Sequence, residues 1–205
     1  LEQYLEKGYY DASILLEYTS SDFAIGRFAL QACNDEPVCN WYTQRAMNWK
    51  NLFNKETGWL QCRNEDGSWK RYDADWREST YKNYFWMVPY DLQGLIDSIG
   101  GKEAAEKRLD EMFRRLDASY GDEWFASGNE PSFQIPWIYN WAGAPYKAQQ
   151  VIRRILNEQY SSRVNGLPGN DDLGSMGAWY VFASIGLFPE IPGVGGFSVN
   201  SPVFR

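Results

Sequence analysis

The sequence predicts a mainly α protein whose helices pair into an α/α toroid, and three observations predict it. Stretches that are apolar on nearly every side alternate along the chain with stretches that are apolar on one stripe only. Glycine, proline and acidic residues gather in the loops between them. The last fifteen residues, 191 to 205, abandon this pattern for alternating Gly, Pro and β-branched residues, the mark of an entry into a β-region. An inner ring of helices buried all round and an outer ring exposed on one face would produce the alternation, leaving the loops of one rim to build a site.

Taken in order, Ser20 or Ser21 can cap a helix over 22–33 that carries Phe23, Ala24, Ile25, Phe28, Ala29 and Leu30. A second helix runs from Pro37 to Phe53 and stops at the turn N-K-E-T-G of 54–58. Gln61 to Ser79 is polar and irregular and reads as a long loop, a feature that in compact domains often carries function. Residues 81–98 form a helix interrupted near Pro89; Gly100-Gly101 then separates it from Lys102–Leu116, whose Ala105, Leu109, Met112, Phe113 and Leu116 make one apolar stripe. Pro131 suits the first position of a helix to about Trp141, and Tyr146–Gln159 follows after A-G-A-P. Met176–Leu187 is apolar almost all round, so burial is expected on every side, Trp179 and Tyr180 included, and with it the preceding turn is carried into the interior.

Composition narrows the chemistry. The net charge of −7, with no local basic cluster along the sequence, argues against nucleic acid or anionic lipid as partner. No apolar run reaches the 18 or so residues that would span a membrane. Histidine is absent, which removes imidazole bases, His-bound zinc and Ser-His triads, so carboxylates must carry any acid–base work. Aromatics are 17% of the chain, a surplus that beside acids suits sugar recognition and equally suits core packing. Cys33, Cys39 and Cys62 are an odd set that fits no metal cluster; a Cys33–Cys39 bridge would be the one short pairing.

Three stretches place an acid beside glycines or aromatics at the start of an apolar helix: E-S-T-Y-K-N-Y-F-W-M-V-P-Y-D at 78–91, G-N-E-P-S-F-Q-I-P at 128–136, and P-G-N-D-D-L-G-S-M-G-A-W-Y at 168–180. Helix N-termini favour negative charge, so each acid has a plain capping role as well as a chemical one.

These three motifs in this order, with E-K-G-Y at 6–9, L-E-Y-T-S-S-D-F-A-I at 16–25, N-W-K-N-L-F-N-K-E-T-G at 48–58 and G-L-F-P-E-I-P-G at 186–193, resemble glycoside hydrolase family 92, the calcium-dependent exo-acting α-mannosidases. The resemblance implies an (α/α)6 toroid packed on an N-terminal β-sandwich, of which residues 1–190 match part of the catalytic toroid and 191–205 the start of a β-rich segment, with the β-sandwich outside this chain. It implies Glu78 as general acid, in a frame kept by Tyr84, Trp86, Val88, Pro89 and Asp91 and altered at Ser79, Lys82, Asn83 and Tyr90. It implies Asp172 as general base with Asp171 assisting; Asn129, Glu130, Trp86 and Asn83 as sugar contacts; and Glu130, Gln134, Asn170 and Asp171 as calcium ligands. Phe133 and Gln134 stand where the family commonly has two histidines. The activity implied is inverting release of terminal α-linked mannose, α-1,2 favoured, from N-glycans or mannan, by a secreted protein completed by its N-terminal domain. The non-enzyme alternative is a degenerate or truncated carbohydrate-binding homologue.

Overall fold

A computed structural model describes residues 1–204. Nine helices account for most of the regular structure: α1 (Glu2–Lys7), α2 (Ala12–Cys33), α3 (Glu36–Ala46), α4 (Tyr81–Tyr84), α5 (Leu92–Ser98), α6 (Lys102–Met112), α7 (Ile138–Trp141), α8 (Pro145–Glu158) and α9 (Ser175–Ile185). The strands are two short antiparallel pairs, β1 (Phe53–Asn54) with β2 (Trp59–Leu60) and β3 (Leu187–Phe188) with β4 (Ser198–Val199). The protein is mainly α and forms part of a helical toroid, with a small β hairpin after its last helix. None of the described helices is long and apolar enough to cross a membrane.

The helix α2 starts earlier than its serines suggest. Asp11 caps it by accepting from the Ile14 N–H at 3.3 Å, and buried Ala12, Leu15, Leu16 and Thr19 extend the apolar stripe backwards through Ser20 and Ser21. Asn34, at φ 53°, turns the chain into α3, which ends at Ala46 and tightens into a 3₁₀ segment, Met47–Leu52. Buried Asp22 on α2 takes Arg45 of α3 in a two-pronged ion pair and also accepts from the Tyr4 hydroxyl at 2.5 Å. All three cysteines are free thiols: Cys33 lies exposed at the end of α2, while Cys39 is buried within α3, so no Cys33–Cys39 bridge forms.

The long segment 61–79 has little regular structure and is held by side chains. The Arg63 guanidinium donates to the Asn51 and Gly67 carbonyls while lying 3.6 Å over the Trp69 ring, and Lys70 pairs with Asp75 at 2.5 Å. Pro89 divides the next region as its ring demands, with α4 before it and α5 after it. Residues 130–141 form two 3₁₀ turns leading into α7 rather than one continuous helix, because Pro131 and Pro136 each remove a backbone donor.

The central core is built on fully buried Trp49, Trp86, Trp137 and Tyr139. Trp137 stacks on Phe188 of β3 at 4.1 Å and donates to the Asn200 side chain at 3.1 Å, which fastens the C-terminal hairpin. The helix α9 departs from expectation. Met176, Trp179, Ala183 and Ser184 are buried, but Tyr180, Val181 and Ile185 remain exposed, because the described residues cover only one side of it.

Candidate active site

The sequence motifs of 78–91 and 128–136 meet at one cavity of about 410 Å³. Glu78 comes from the end of the long irregular segment, just before α4, and Glu130 from the first 3₁₀ turn before α7. Asn129 joins the two, its side-chain amide donating to the Glu78 carbonyl at 2.7 Å. Gln134 lines the same cavity one turn beyond Glu130, its amide N–H groups donating to the Pro131 and Trp86 carbonyls at 3.1 and 3.3 Å, which leaves its carbonyl oxygen available.

Two further carboxylates line this cavity. Glu17 lies on α2 with Ser20 three residues on, so both project from one face. Partial burial of its carboxyl, and then the neighbouring Glu78 and Glu130 carboxylates, raise the Glu17 pKa. Glu190 follows β3 and is 5% exposed; its Oε2 accepts from the Trp141 indole at 3.2 Å and from the Ser198 hydroxyl, while its Oε1 is buried with no partner. Burial holds the Glu190 carboxyl above its ordinary value. No Lys or Arg lines the cavity among the described residues. Tyr84 reports the same field: burial, and after it the Glu78 and Glu17 charges, push its phenol up to about 12.

The third motif takes another position. Asn170, Asp171 and Asp172 are exposed on a loop outside this cavity rather than carried into the interior, since only one side of α9 is covered. Asp171 performs the capping role, accepting from the Gly177 N–H at 3.2 Å near the start of α9. Asp172 has a left-handed φ of 43° and Leu173 one of 61°, so the loop turns sharply there. The loop is nonetheless docked onto the Glu130 loop. A Cβ on Gly128 would lie 2.5 Å from the Pro168 carbonyl oxygen, and one on Gly169 would strike the Gly128 carbonyl oxygen. Tyr160 continues the connection: its phenol is raised by burial and then by the Asp171 charge, and its ring stacks on Trp179, whose indole donates to the Phe133 carbonyl at 3.0 Å.

Two of the expected sugar contacts belong to the frame. Asn83 is completely buried, donating to the Trp124 carbonyl at 2.9 Å and accepting from Ser132 at 3.1 Å. Trp86 is likewise buried. The packing that positions Glu78 and Glu130 consumes both side chains. Motif reading assigns no role to Glu17 or Glu190, although the Glu17–Ser20 spacing and the acid between Pro189 and Pro192 are visible signals.

The catalytic-domain profile of glycosyl hydrolase family 92 matches residues 1–205. The chain belongs to glycosyl hydrolase family 92. Among solved GH92 structures, an α-mannosidase of Bacteroides thetaiotaomicron is 34% identical with a TM-score of 0.84, the match covering 93% of this chain and 26% of that one. An inverting GH92 mannosidase of the same organism is 29% identical with a TM-score of 0.88, covering 100% of this chain and 32% of its own. An uncharacterized secreted glycosidase of Arthroderma benhamiae is 29% identical over 219 residues, 93% of this chain and 27% of that protein. The chain thus spans about a quarter to a third of the length of these GH92 relatives.

A hard cation fits the chemistry of this GH92 cavity, which offers carboxylate and amide oxygens, no competing cationic side chain and two buried oxygens without partners, Ser20 Oγ and Glu190 Oε1. No three acidic or cysteine side chains among the described residues are close enough to cage a metal by themselves. A cation there would need the Gln134 carbonyl, backbone oxygens, water or substrate hydroxyls to complete its shell.

Proposed function

We propose that the protein containing this chain is an exo-acting α-mannosidase that releases terminal mannose, α-1,2-linked in preference, from N-glycans or mannan with inversion at the anomeric carbon. The observation that supports this most directly is the convergence of Glu78 and Glu130 on one cavity, tied by the Asn129–Glu78 hydrogen bond, in a chain that matches the GH92 domain throughout. One B. thetaiotaomicron GH92 α-mannosidase has been solved in complex with mannoimidazole, which is consistent with a mannose-shaped site.

In this proposal protonated Glu78 donates to the leaving glycosidic oxygen. Its carboxyl lines a cavity that carries no Lys or Arg among the described residues. Asp172 takes a proton from the attacking water, and Asp171, by capping α9, holds the loop that carries it. Inversion needs space for the water, with the two carboxyls roughly 6.5–9.5 Å apart. Glu130 and Gln134 are the calcium ligands facing the cavity, with Asn170 and Asp171 supplied from the docked loop. Calcium would supply a grip on adjacent sugar hydroxyls and favour a distorted ring. Secretion, and completion of the site by an N-terminal domain of the same protein, belong to the same proposal.

The test is mannose release from α-1,2-, α-1,3- and α-1,6-mannobiose by the full-length protein, with calcium and with a chelator. The proposal expects α-1,2 turnover that the chelator abolishes and calcium restores. Sugar binding without turnover of any mannobiose would favour the carbohydrate-binding homologue.

A further inference from the structure

A second cavity, of about 560 Å³, lies between the 3₁₀ segment after α3, the β1–β2 turn, the end of α5 and the middle of α6. Three cations line it, Lys50, Lys55 and Arg108, and no acidic residue does, in a chain whose net charge is −7. These residues are far apart in sequence, and the fold gathers them.

Arg108 is the built part of this site. Its guanidinium is fixed by donating to the Gly58 carbonyl at 2.8 Å and by lying 3.9 Å over the Trp59 ring. No carboxylate stands within ion-pair distance of it among the described residues; burial lowers its pKa, and the more distant Glu111 charge partly offsets this. A half-buried guanidinium held in place with donors to spare is a preorganised receptor for an oxyanion. Lys55 forms no ion pair among the described residues, and Lys50 reaches Asp91 only at 3.8 Å with its side chain 58% exposed, so both can turn to a ligand. Phe53 and Ile99 supply an apolar wall beside the charges.

Three positive charges suit a dianion better than a monoanion, and an aromatic wall suits the C–H face of a sugar ring. The volume is within the usual range for small-molecule sites. We propose that this cavity binds a sugar phosphate, its phosphate on Arg108, Lys50 and Lys55 and its ring on Phe53.

Calorimetric titration of the full-length protein with glucose 6-phosphate, glucose and inorganic phosphate tests this separately from the proposed hydrolysis, because glucose 6-phosphate has no glycosidic bond to cleave. The expected result is saturable glucose 6-phosphate binding, at least tenfold tighter than inorganic phosphate, with none by glucose at the same concentration. Lys55→Glu, at an exposed position where folding is not at stake, should weaken binding about fivefold or more, and Arg108→Lys, which keeps the charge and loses the fork, about tenfold. Absence of glucose 6-phosphate binding, equal binding of inorganic phosphate, or affinity unchanged in both variants would overturn the proposal.

Discussion

The two cavities are of comparable size and opposite character. About 410 Å³ is lined by Glu17, Glu78, Glu130 and Glu190 without a cation, and about 560 Å³ by Lys50, Lys55 and Arg108 without an acid. An overall charge therefore says little about any one surface of this protein; the fold sorts the charges by sign. The acidic cavity draws Glu78 and Glu190 from loops, Glu130 from the start of a 3₁₀ turn and Glu17 from within α2. The basic one is anchored by Arg108, which stacks on Trp59, where a delocalised cation tolerates partial burial.

The largest expected effect lies in the acidic cavity. Glu78→Gln should lower kcat on α-1,2-mannobiose by about 10⁴-fold, the upper end for loss of a general acid, with glucose 6-phosphate binding unchanged. A comparable loss of both functions would show that the cavities are not independent. Their shared strut is the Asp22–Arg45 pair, which ties the helix bearing Glu17 to the segment bearing Lys50. Asp22→Ala strands the Arg45 charge and leaves the Tyr4 hydroxyl only the Arg45 carbonyl at 3.5 Å, so chemical denaturation should show a loss of about 3–5 kcal/mol.

Gly169→Ala is a narrower probe. A methyl group there meets the Gly128 carbonyl and forces the Asp172 loop away from Glu130, and displacement by about 1 Å should cost about 10²-fold in kcat with little change in Tm. Activity within twofold of the parent would mean that the docked loops do not set the catalytic geometry.

Glu190→Gln gives the smallest effect, and its sign depends on pH. Burial raises the folded-state pKa of Glu190 above its ordinary 4.5, so the native state holds that proton more tightly than the unfolded chain does. Stability contributed this way is full below the ordinary value and is lost as pH rises through the folded value. A glutamine keeps hydrogen-bonding capacity toward Trp141 and Ser198 without that loss. The variant should melt at a higher temperature than the parent at pH 7 and at the same temperature at pH 4. Equal Tm differences at both pH values would refute the buried-acid account.

Much of the frame is legible from periodicity. The apolar spacing of α6 and α8 and the break at Pro89 are all present in the residues, as is the Asp11 cap in D-A-S-I, which a reading anchored on Ser20 and Ser21 passes over. The site is legible only where its residues share a motif. Glu78 and Glu130 announce themselves, but Glu17 and Glu190 reach the same cavity from helix α2 and from the loop after β3, a juxtaposition that only tertiary structure supplies. The same holds for Lys50, Lys55 and Arg108. Burial was overestimated for α9, since an all-apolar sequence reports the need for cover without naming what provides it. Asn83 and Trp86, expected at the sugar, lie buried in the frame, a placement that motif position alone does not reveal.

The central claim is that Glu78 and Asp172 act on opposite faces of an α-mannoside. Proton NMR of α-1,2-mannobiose hydrolysis by the full-length protein tests it most directly, by following the anomeric signals of released mannose before mutarotation mixes them. The account predicts β-mannose first, and none from Glu78→Gln or Asp172→Asn over the same interval. The appearance of α-mannose first would contradict it.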